Sequence, residues 1–257
     1  MGNLLIMAFN MKIILLIAVS AIILSASAQT QFITRGRIQY EKRLNQHKGI
    51  EDQAESNTWL QMMLKAYPKL VNDVYELRFD ENKSFYKLTK ENNDNKYQMW
   101  GTKPTETDGV LQDLQTQTVS TQRDVFENTY VIKDSLRKLD WRITDETREI
   151  AGFECRKAVT KICDSVYVVA FYTDQIAVSS GPESFGGLPG MILGLAIPRL
   201  YTTWFATKLE LVDPTPAQLN PPQKGKKVNW RELYGELKPA FKKWGREADK
   251  RLWIVSL

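Results

Sequence analysis

The chain has 257 residues, of which 43% are hydrophobic and 25% are charged. This balance is ordinary for a globular protein and excludes a disordered chain, a collagen-like repeat and a polytopic membrane protein. Lys and Arg number 35 against 30 Asp and Glu, which gives a formal net charge of +5. With one His and two Cys, a multi-histidine metal site, a four-cysteine zinc site and a disulfide-dense scaffold are excluded as well. We therefore expect no metal and no cofactor.

The N-terminal segment is typical of an export signal. Lys12 supplies a positive charge, residues 13–24 are apolar apart from Ser20, and Ala26-Ser27-Ala28 forms a cleavage site. The apolar run is too short for a spanning helix, which needs about 20 residues. We expect residues 1–28 to be cleaved and the protein to be periplasmic or secreted. It is not predicted to be a lipoprotein, because no Cys follows the run.

The first half of the remaining chain alternates between strand and helix patterns. Ile38 and Tyr40 alternate with polar residues, which predicts a first strand. Apolar residues then recur at helical spacing over residues 59–67, with Ser56 or Asn57 as a candidate cap and Pro68 at the end. Strands follow on both sides of a turn at residues 80–83. Residues 101–118 are predicted to be a long connection.

The second half is rich in β patterns. Strands are predicted over residues 125–132, 141–143, 149–162, 166–172, 191–197 and 201–212. Residues 213–229 are rich in Pro and Lys and predict a linker. An amphipathic helix closes the chain, and Pro239 is expected either to kink it or to divide it into two short helices. We divide the chain into the signal 1–28, a single β-rich domain over 29–220, and a basic linker with the C-terminal helix over 221–257.

The predicted fold class is α+β. We expect a predominantly antiparallel, curved sheet with an N-terminal helix and a C-terminal amphipathic helix packed on one face. Such a half-barrel is similar to the lipoprotein carriers, by fold-level analogy alone.

The two cysteines are predicted to stay unpaired. Cys155 and Cys163 lie at the two ends of one predicted strand, roughly 26 Å apart at the rise of a strand. A disulfide needs Cα atoms within about 7 Å. We expect Cys155 to pack in the sheet and Cys163 to lie at a turn.

The most informative motif is Gly187-Leu188-Pro189-Gly190-Met191-Ile192. Elements that accompany it are a first strand with a Gly-x-Ile-x-Tyr pattern and a later Gly-x-x-Cys-x-Lys-Ala segment (Gly36, Ile38 and Tyr40; Gly152, Cys155, Lys157 and Ala158). In this order the elements resemble the GLPGLI family of exported Bacteroidetes proteins, of the Porph_ging type. The resemblance implies an exported protein and carries little chemistry with it.

The loop that contains the motif has two interpretations. Pro189 and Gly190 suit positions i+1 and i+2 of a type II turn over residues 188–191. As a functional site, the loop would bind a ligand through unpaired backbone N–H groups. The residues of this loop are Phe185, Gly186, Gly187, Leu188, Pro189 and Gly190. As a structural element, it would be a rigid turn that aims the buried strand 191–197.

The C-terminal helix also has two interpretations. Basic residues lie beside its apolar stripe (Lys242, Lys243, Arg246 and Lys250). They would form a surface for peripheral contact with an anionic membrane or a partner. Alternatively, the helix covers the open face of the sheet and its basic side is solvated. The export signal argues against a nucleic-acid partner.

No catalytic residue is predicted. The segment around Ser184 is not a nucleophile elbow, because Pro182 stands where Gly is needed and His47 precedes the serine. We expect a non-enzymatic binding or accessory protein near the outer membrane. Its ligand would be an apolar small molecule, lipid or peptide, with the outer-membrane transport machinery as a candidate partner. The alternatives are an envelope scaffolding protein that uses residues 224–257 and, less favoured, a hydrolase with acidic catalytic residues.

Overall fold

The computed structural model describes residues 32–90, 104–125, 128–163, 165–221, 224–242 and 247–257. The chain divides into two compact units, Met1–Phe32 and Ile33–Leu257. The predicted export signal lies outside the described residues. The sheet and the site both belong to the second unit.

The described strands form one open sheet of twelve strands. They are β1 (Gly36–Asn45), β2 (Leu70–Phe79), β3 (Lys83–Lys90), β4 (Gly109–Asp113), β5 (Thr118–Val125), β6 (Asn128–Ser135), β7 (Arg142–Ile150), β8 (Phe153–Ile162), β9 (Val166–Thr173), β10 (Met191–Ile197), β11 (Thr202–Glu210) and β12 (Lys226–Val228). Their order is β12-β6-β5-β4-β3-β2-β1-β11-β10-β9-β8-β7. All neighbours are antiparallel except β12 and β6, which are parallel. The predicted α+β class with a mainly antiparallel sheet is confirmed.

Two predicted strands are hairpins instead. Residues 149–162 turn back at Ala151 and Gly152, whose φ values of 52° and 84° suit a type I′ hairpin turn. Ile150 pairs with Phe153 across this turn. The predicted strand 125–132 likewise holds the end of β5 and the start of β6. Sequence patterning missed the first turn because Ala at positive φ is uncommon.

The predicted connection over residues 101–118 contains β4, which pairs with both β3 and β5. The strand was missed because its alternation of apolar and polar residues is short and polar turns flank it. So short a strand is stabilised by its pairing on both sides.

Four α-helices lie in the described ranges: α1 (Glu51–Ala54), α2 (Thr58–Ala66), α3 (Trp230–Phe241) and α4 (Glu247–Ser256). The side chain of Asn57 accepts hydrogen bonds from the backbone N–H groups of Trp59 and Leu60, so α2 begins where the sequence predicts. Among its residues Leu60 is buried, whereas Trp59 and Met62 are more than half exposed. Helical spacing located the helix correctly, but its apolar stripe is not the buried side.

None of the described helices is long and apolar enough to cross a bilayer.

The predicted C-terminal helix is two helices. Asn229 and Glu232 form a capping box at the start of α3, and Pro239 lies within that helix. The break therefore falls after Phe241 rather than at the proline. Buried residues of α3 and α4 pack with β5, β6 and β12 in a second hydrophobic cluster (Val125, Tyr130, Ile132, Val228, Leu233, Leu237, Phe241, Leu252 and Val255). Part of the predicted linker forms β12.

The main hydrophobic core lies on one face of the sheet, which we call the inner face. Strand alternation places Ile38 and Tyr40 of β1 beside Leu77 and Tyr75 of β2 on this face. Residues 176–192 cover it, since Ile176, Phe185, Leu188 and Ile192 belong to the same cluster. We call residues 176–192 the cover. The phenol of Tyr40 in β1 donates to the carbonyl of Ile192 at 2.7 Å, so a hydrogen bond joins the cover to the sheet.

Candidate functional site

The predicted ligand loop, residues 185–190, is tied into the core. The side chains of Phe185 and Leu188 are buried. The N–H of Gly187 donates to Ser179 Oγ at 3.0 Å, and Trp141 Nε1 donates to the carbonyl of Gly186 at 2.9 Å. The backbone N–H of Gly187 is therefore not bare. Ligand binding by this loop stays a prediction.

The expected type II turn over residues 188–191 is wrong. The N–H of Met191 donates to the carbonyl of Ile176 at 3.1 Å, and the N–H of Gly190 donates to Leu188 at 2.8 Å. Gly190 does adopt positive φ, at 144°. A Cβ atom there would lie 2.0 Å from the carbonyl oxygen of Thr173. Glycine is needed because the loop passes against the end of β9, which agrees with the structural interpretation of the motif.

The predicted basic surface is described only in part. Lys242 is exposed at the C-terminal end of α3. Lys243 and Arg246 lie outside the described residues, and the side chain of Lys250 in α4 is not described. A role for these residues at a membrane or partner stays a prediction.

A buried cluster of ions that no sequence motif indicated lies on the inner face. Glu183 Oε1 contacts Lys42 Nζ at 3.0 Å, and its Oε2 contacts Arg123 Nη2 at 3.1 Å. We call Lys42, Arg123 and Glu183 the inner ion cluster. Lys42 comes from β1, Arg123 from β5 and Glu183 from the segment between β9 and β10. The cluster therefore connects both halves of the sheet to its cover.

The charges of the cluster stabilise one another. Burial opposes ionisation of Glu183, but the positive charges of Lys42 and Arg123 and their hydrogen bonds outweigh it, so the pKa of Glu183 is lowered. Glu183 has a positive φ of 56°, which is unusual for a residue that is not glycine. The carboxylate is thus ionised at neutral pH and held in place by two cations.

A cavity of about 110 Å³ adjoins the inner ion cluster, which exceeds the roughly 10–15 Å³ that one water needs. Three buried donors on residues that line it have no hydrogen-bond partner within the described structure: Tyr86 Oη, Trp204 Nε1 and Arg123 Nε. Burial and the nearby charge of Glu183 raise the pKa of Tyr86 well above its usual value, so its hydroxyl keeps its proton. These three atoms are themselves buried, and the charged side chains that line the cavity mark it as a candidate binding site.

The aromatic faces beside the cavity are already covered. Tyr75 stacks on Tyr86 with ring centroids 4.8 Å apart. Lys42 Nζ lies 5.4 Å from the ring centroid of Tyr75 and 5.1 Å from that of Trp204, within the range of cation–π attraction. The rings therefore hold Lys42 in place.

The C-terminal helix borders the same cavity. Ile254, Val255 and Leu257 line it. Arg123 Nη1 donates to the carbonyl of Ile254 at 2.9 Å, and Ser184 Oγ donates to that of Leu257 at 2.6 Å. Basic and hydroxyl groups thus satisfy carbonyls at the end of α4, where a helix leaves them unpaired. The helix covers part of the sheet, as one of the two interpretations expected.

The sequence did contain a signal for the cluster. Lys42 continues the inward alternation of Ile38 and Tyr40, so it is a charged residue at a core position. A charge there requires a buried counterion, but the sequence does not say that Glu183 supplies it. In the described part of the chain, no group of three or more His, Cys, Asp or Glu residues is placed to hold a metal.

Cys155 and Cys163 do not form a disulfide, as predicted. Burial raises the pKa of Cys155 to about 12, so its thiol is inert at neutral pH. Cys163 is exposed at the turn after β8.

Two solved structures share the fold. "Structure of PNGF-II in C2 space group" has a TM-score of 0.51 at 17% identity and covers 79% of this chain and 32% of that chain. The same protein in the P21 space group gives a TM-score of 0.50 at 16% identity, over 79% and 33%. The chain thus spans about one third of the length of PNGF-II. No curated protein matches the sequence.

A family model corrects the resemblance drawn from the motif. The model described as "N-glycanase peptide, N-terminal domain" matches residues 76–231, a range that includes the motif at residues 187–192. Assignment to the GLPGLI family was therefore wrong, because a short turn motif is less specific than a match across ten strands of the sheet. With more than half of its length matched, the chain belongs to the family of N-glycanase peptide N-terminal domains.

Proposed function

We propose that this chain is a non-enzymatic accessory domain that binds a glycan in the cavity beside the inner ion cluster. Family membership supports a glycan-related role, and the chain shares its fold with a segment of PNGF-II. The observation that carries the proposal is the charged lining of the cavity beside the inner ion cluster. A hydroxyl-rich ligand can donate to the carboxylates of that lining and accept from its cations.

The lining favours a polar ligand over the apolar one expected from the sequence. Charged residues contribute to it from several strands and from the segments between them (Lys42, Asp73, Lys87, Asp108, Arg123, Asp124 and Glu183). An apolar ligand would remove water from these groups without replacing its hydrogen bonds, which is costly. A saccharide replaces water with its own hydroxyl and carbonyl groups.

The chemistry of the cluster supports binding rather than hydrolysis. A carboxylate pair for glycoside hydrolysis needs one group that holds a proton and one that is free to act on the substrate. Glu183 is ionised, and both of its oxygens are engaged by cations. Asp108 has a pKa raised by burial, but its oxygens accept hydrogen bonds from Thr105 and from the N–H of Asp124. Both carboxylates serve structural roles in this proposal.

Export of the protein is part of the same proposal. The pattern of residues 1–28 supports export to the periplasm or beyond, where glycans and glycoproteins are accessible. Cell fractionation with N-terminal sequencing tests this. A chain that keeps residues 1–28 in the cytoplasm would contradict it.

The binding test uses the whole exported chain and neutral glycans released from a glycoprotein, followed by native mass spectrometry and calorimetry. Leu44→Trp and Val71→Phe each fill the cavity from a different strand, and Leu211→Trp is the control on an exposed loop residue. We expect the cavity variants to lose binding at least tenfold while keeping a native melting transition. Absence of binding by the unchanged protein, or equal binding by folded cavity variants, would overturn the proposal.

A further inference from the structure

Two further cavities, of about 330 and 390 Å³, meet at the segment between β6 and β7. Both volumes fall within the range of small-molecule sites. The residues that line both cavities are Leu136, Arg137, Lys138 and Ser184. We infer that these cavities bind a carboxylate that carries an apolar chain, and that Arg137 holds the carboxylate. Neither Arg137 nor Lys138 lines the cavity beside the inner ion cluster, so this site does not rest on the proposed function.

Arg137 is a half-buried cation that forms no ion pair within the described part of the chain. Burial lowers its pKa, which shows that the charge has lost hydration. Arg123 is also buried, but its charge is paired with Glu183. A charge that leaves water without a partner is destabilising, so the surroundings of Arg137 favour an anionic ligand.

The guanidinium of Arg137 is held in place and keeps accessible donors. Its Nη2 donates to the carbonyl of Ser256 at 2.6 Å, and its Cζ lies 5.8 Å from the ring centroid of Phe185, within the range of cation–π attraction. Nε and Nη1 have no hydrogen-bond partner among the described residues, and neither is a buried unpaired atom. Solvent therefore reaches both groups. A carboxylate accepts such hydrogen bonds more strongly than a neutral acceptor does.

The charges that line the two cavities match a ligand with one negative charge. Lys138 is exposed beside Arg137. Among the described residues of the two linings, Asp134 is the only acidic one, and its carboxylate accepts hydrogen bonds from the N–H groups of Ser135 and Trp230. Two cations against one carboxylate leave an excess of one positive charge. A monoanion neutralises it, whereas a cationic ligand would be repelled.

Much of the larger cavity is apolar. Aliphatic and aromatic side chains from several elements contribute to its wall (Val119, Ile132, Leu136, Trp230, Val255 and Leu257). A chain that lies against them loses apolar surface to water, which is favourable. The carboxylate at Arg137 and the chain in this cavity together define the ligand as a fatty acid of medium length.

The experiment titrates the whole chain with octanoate near neutral pH. Calorimetry measures the affinity, and NMR follows the Nε–H resonance of Arg137, assigned with Arg137→Gln. Octanol lacks the charge, octylamine reverses it, and acetate lacks the chain. We expect octanoate to shift the Arg137 resonance and to bind at least tenfold more tightly than each of the three other probes. Equal binding of octanol, equal binding of acetate, or an unchanged Arg137 resonance would overturn the inference.

The variant Arg137→Gln removes the charge and keeps a donor for the carbonyl of Ser256. Because the charge has no counterion among the described residues, we expect the melting temperature to stay equal or rise while the affinity for octanoate falls at least tenfold. Lys138→Gln, at an exposed residue, should lower that affinity about two- to fivefold. Arg142→Gln, at an exposed arginine of β7, is the matched control and should change neither quantity.

The variants can also contradict the inference. Octanoate binding that is unchanged in Arg137→Gln would overturn it. A marked loss of stability in Arg137→Gln would overturn it as well, because the charge would then have a partner within the protein.

The outcomes separate this inference from the proposed function. Leu44→Trp and Val71→Phe fill the cavity beside the inner ion cluster, so both should bind octanoate as the unchanged protein does. Loss of octanoate binding in these folded variants would overturn the inference, because it would place the ligand in the other cavity. Absence of glycan binding would contradict the proposed function and leave this inference intact.

Discussion

Two glutamates, each paired with one Lys and one Arg, lie on opposite faces of the sheet. On the inner face, Glu183 is paired with Lys42 and Arg123, and its side chain is 4% exposed. On the outer face, Glu210 of β11 is paired with Arg37 of β1 and with Lys208, and its side chain is 27% exposed. Lys42 and Arg37 belong to the same strand, so one strand contributes a cation to each cluster.

The comparison indicates that burial, rather than the number of ion pairs, determines how much stability is lost when a charged group is removed. Exposed pairs are screened by water and contribute little. A buried pair gains more from each contact but has lost its hydration, so removal of one partner leaves a costly unpaired charge. The inner ion cluster is thus a fixed structural element that shapes a cavity, whereas Glu210 and its two partners lie at a solvated surface.

The strongest test removes the central carboxylate from each cluster. We expect Glu183→Gln to lower the free energy of unfolding by about 3–5 kcal/mol, because Lys42 and Arg123 lose their shared counterion in a buried site. Glu210→Gln, the matched control, should change it little. Urea denaturation measures both. Equal effects of the two substitutions would show that burial does not distinguish the clusters.

The cover of the inner face can be tested at a glycine. Gly190→Ala places a Cβ atom against the carbonyl of Thr173 at a positive φ, so we expect a loss on the order of 3 kcal/mol. Gly235→Ala in α3 meets no atom within 4 Å and should stabilise the helix by roughly 0.5–1 kcal/mol. Thermal and urea unfolding report both changes. A tolerated Gly190→Ala would mean that the cover fits the sheet loosely.

The inner ion cluster should make stability depend on acid. The pKa of Glu183 is lower in the folded state, so its contribution is complete above the unfolded value of about 4.3 and is lost as the pH falls through the folded pKa. The raised pKa of Asp108 acts in the opposite direction. We expect stability to decrease below about pH 4.5 and Glu183→Gln to flatten that decrease. Parallel curves would rule out Glu183 as the source.

The smallest expected effect is a difference in thiol reactivity between a buried and an exposed cysteine. Cys155 is buried with a pKa of about 12, and Cys163 is exposed. Iodoacetamide at pH 8 should modify Cys163 in the native protein and both cysteines in urea, as counted by intact mass. Two adducts under native conditions would show that the core around Cys155 opens readily.

Several elements could be predicted from local residues. The alternation of Ile38 and Tyr40 located β1, the apolar run located β10, and Asn57 marked the start of α2. Elements that depend on distant partners were missed. β4 is stabilised by β3 and β5 on both sides, and the turn at Ala151 needs a hairpin to hold a positive φ.

The sequence by itself determined the class of fold and the separation of Cys155 from Cys163, because both depend on alternation and distance along a strand. The alternation of β1 also places Lys42 at a core position, although no sequence prediction used this signal. Only the tertiary structure decided which residue neutralises that charge. Glu183 is 141 residues away in sequence from Lys42, and no local pattern encodes a pairing that forms when the cover closes over the inner face. The cavity beside the inner ion cluster arises from the same closure.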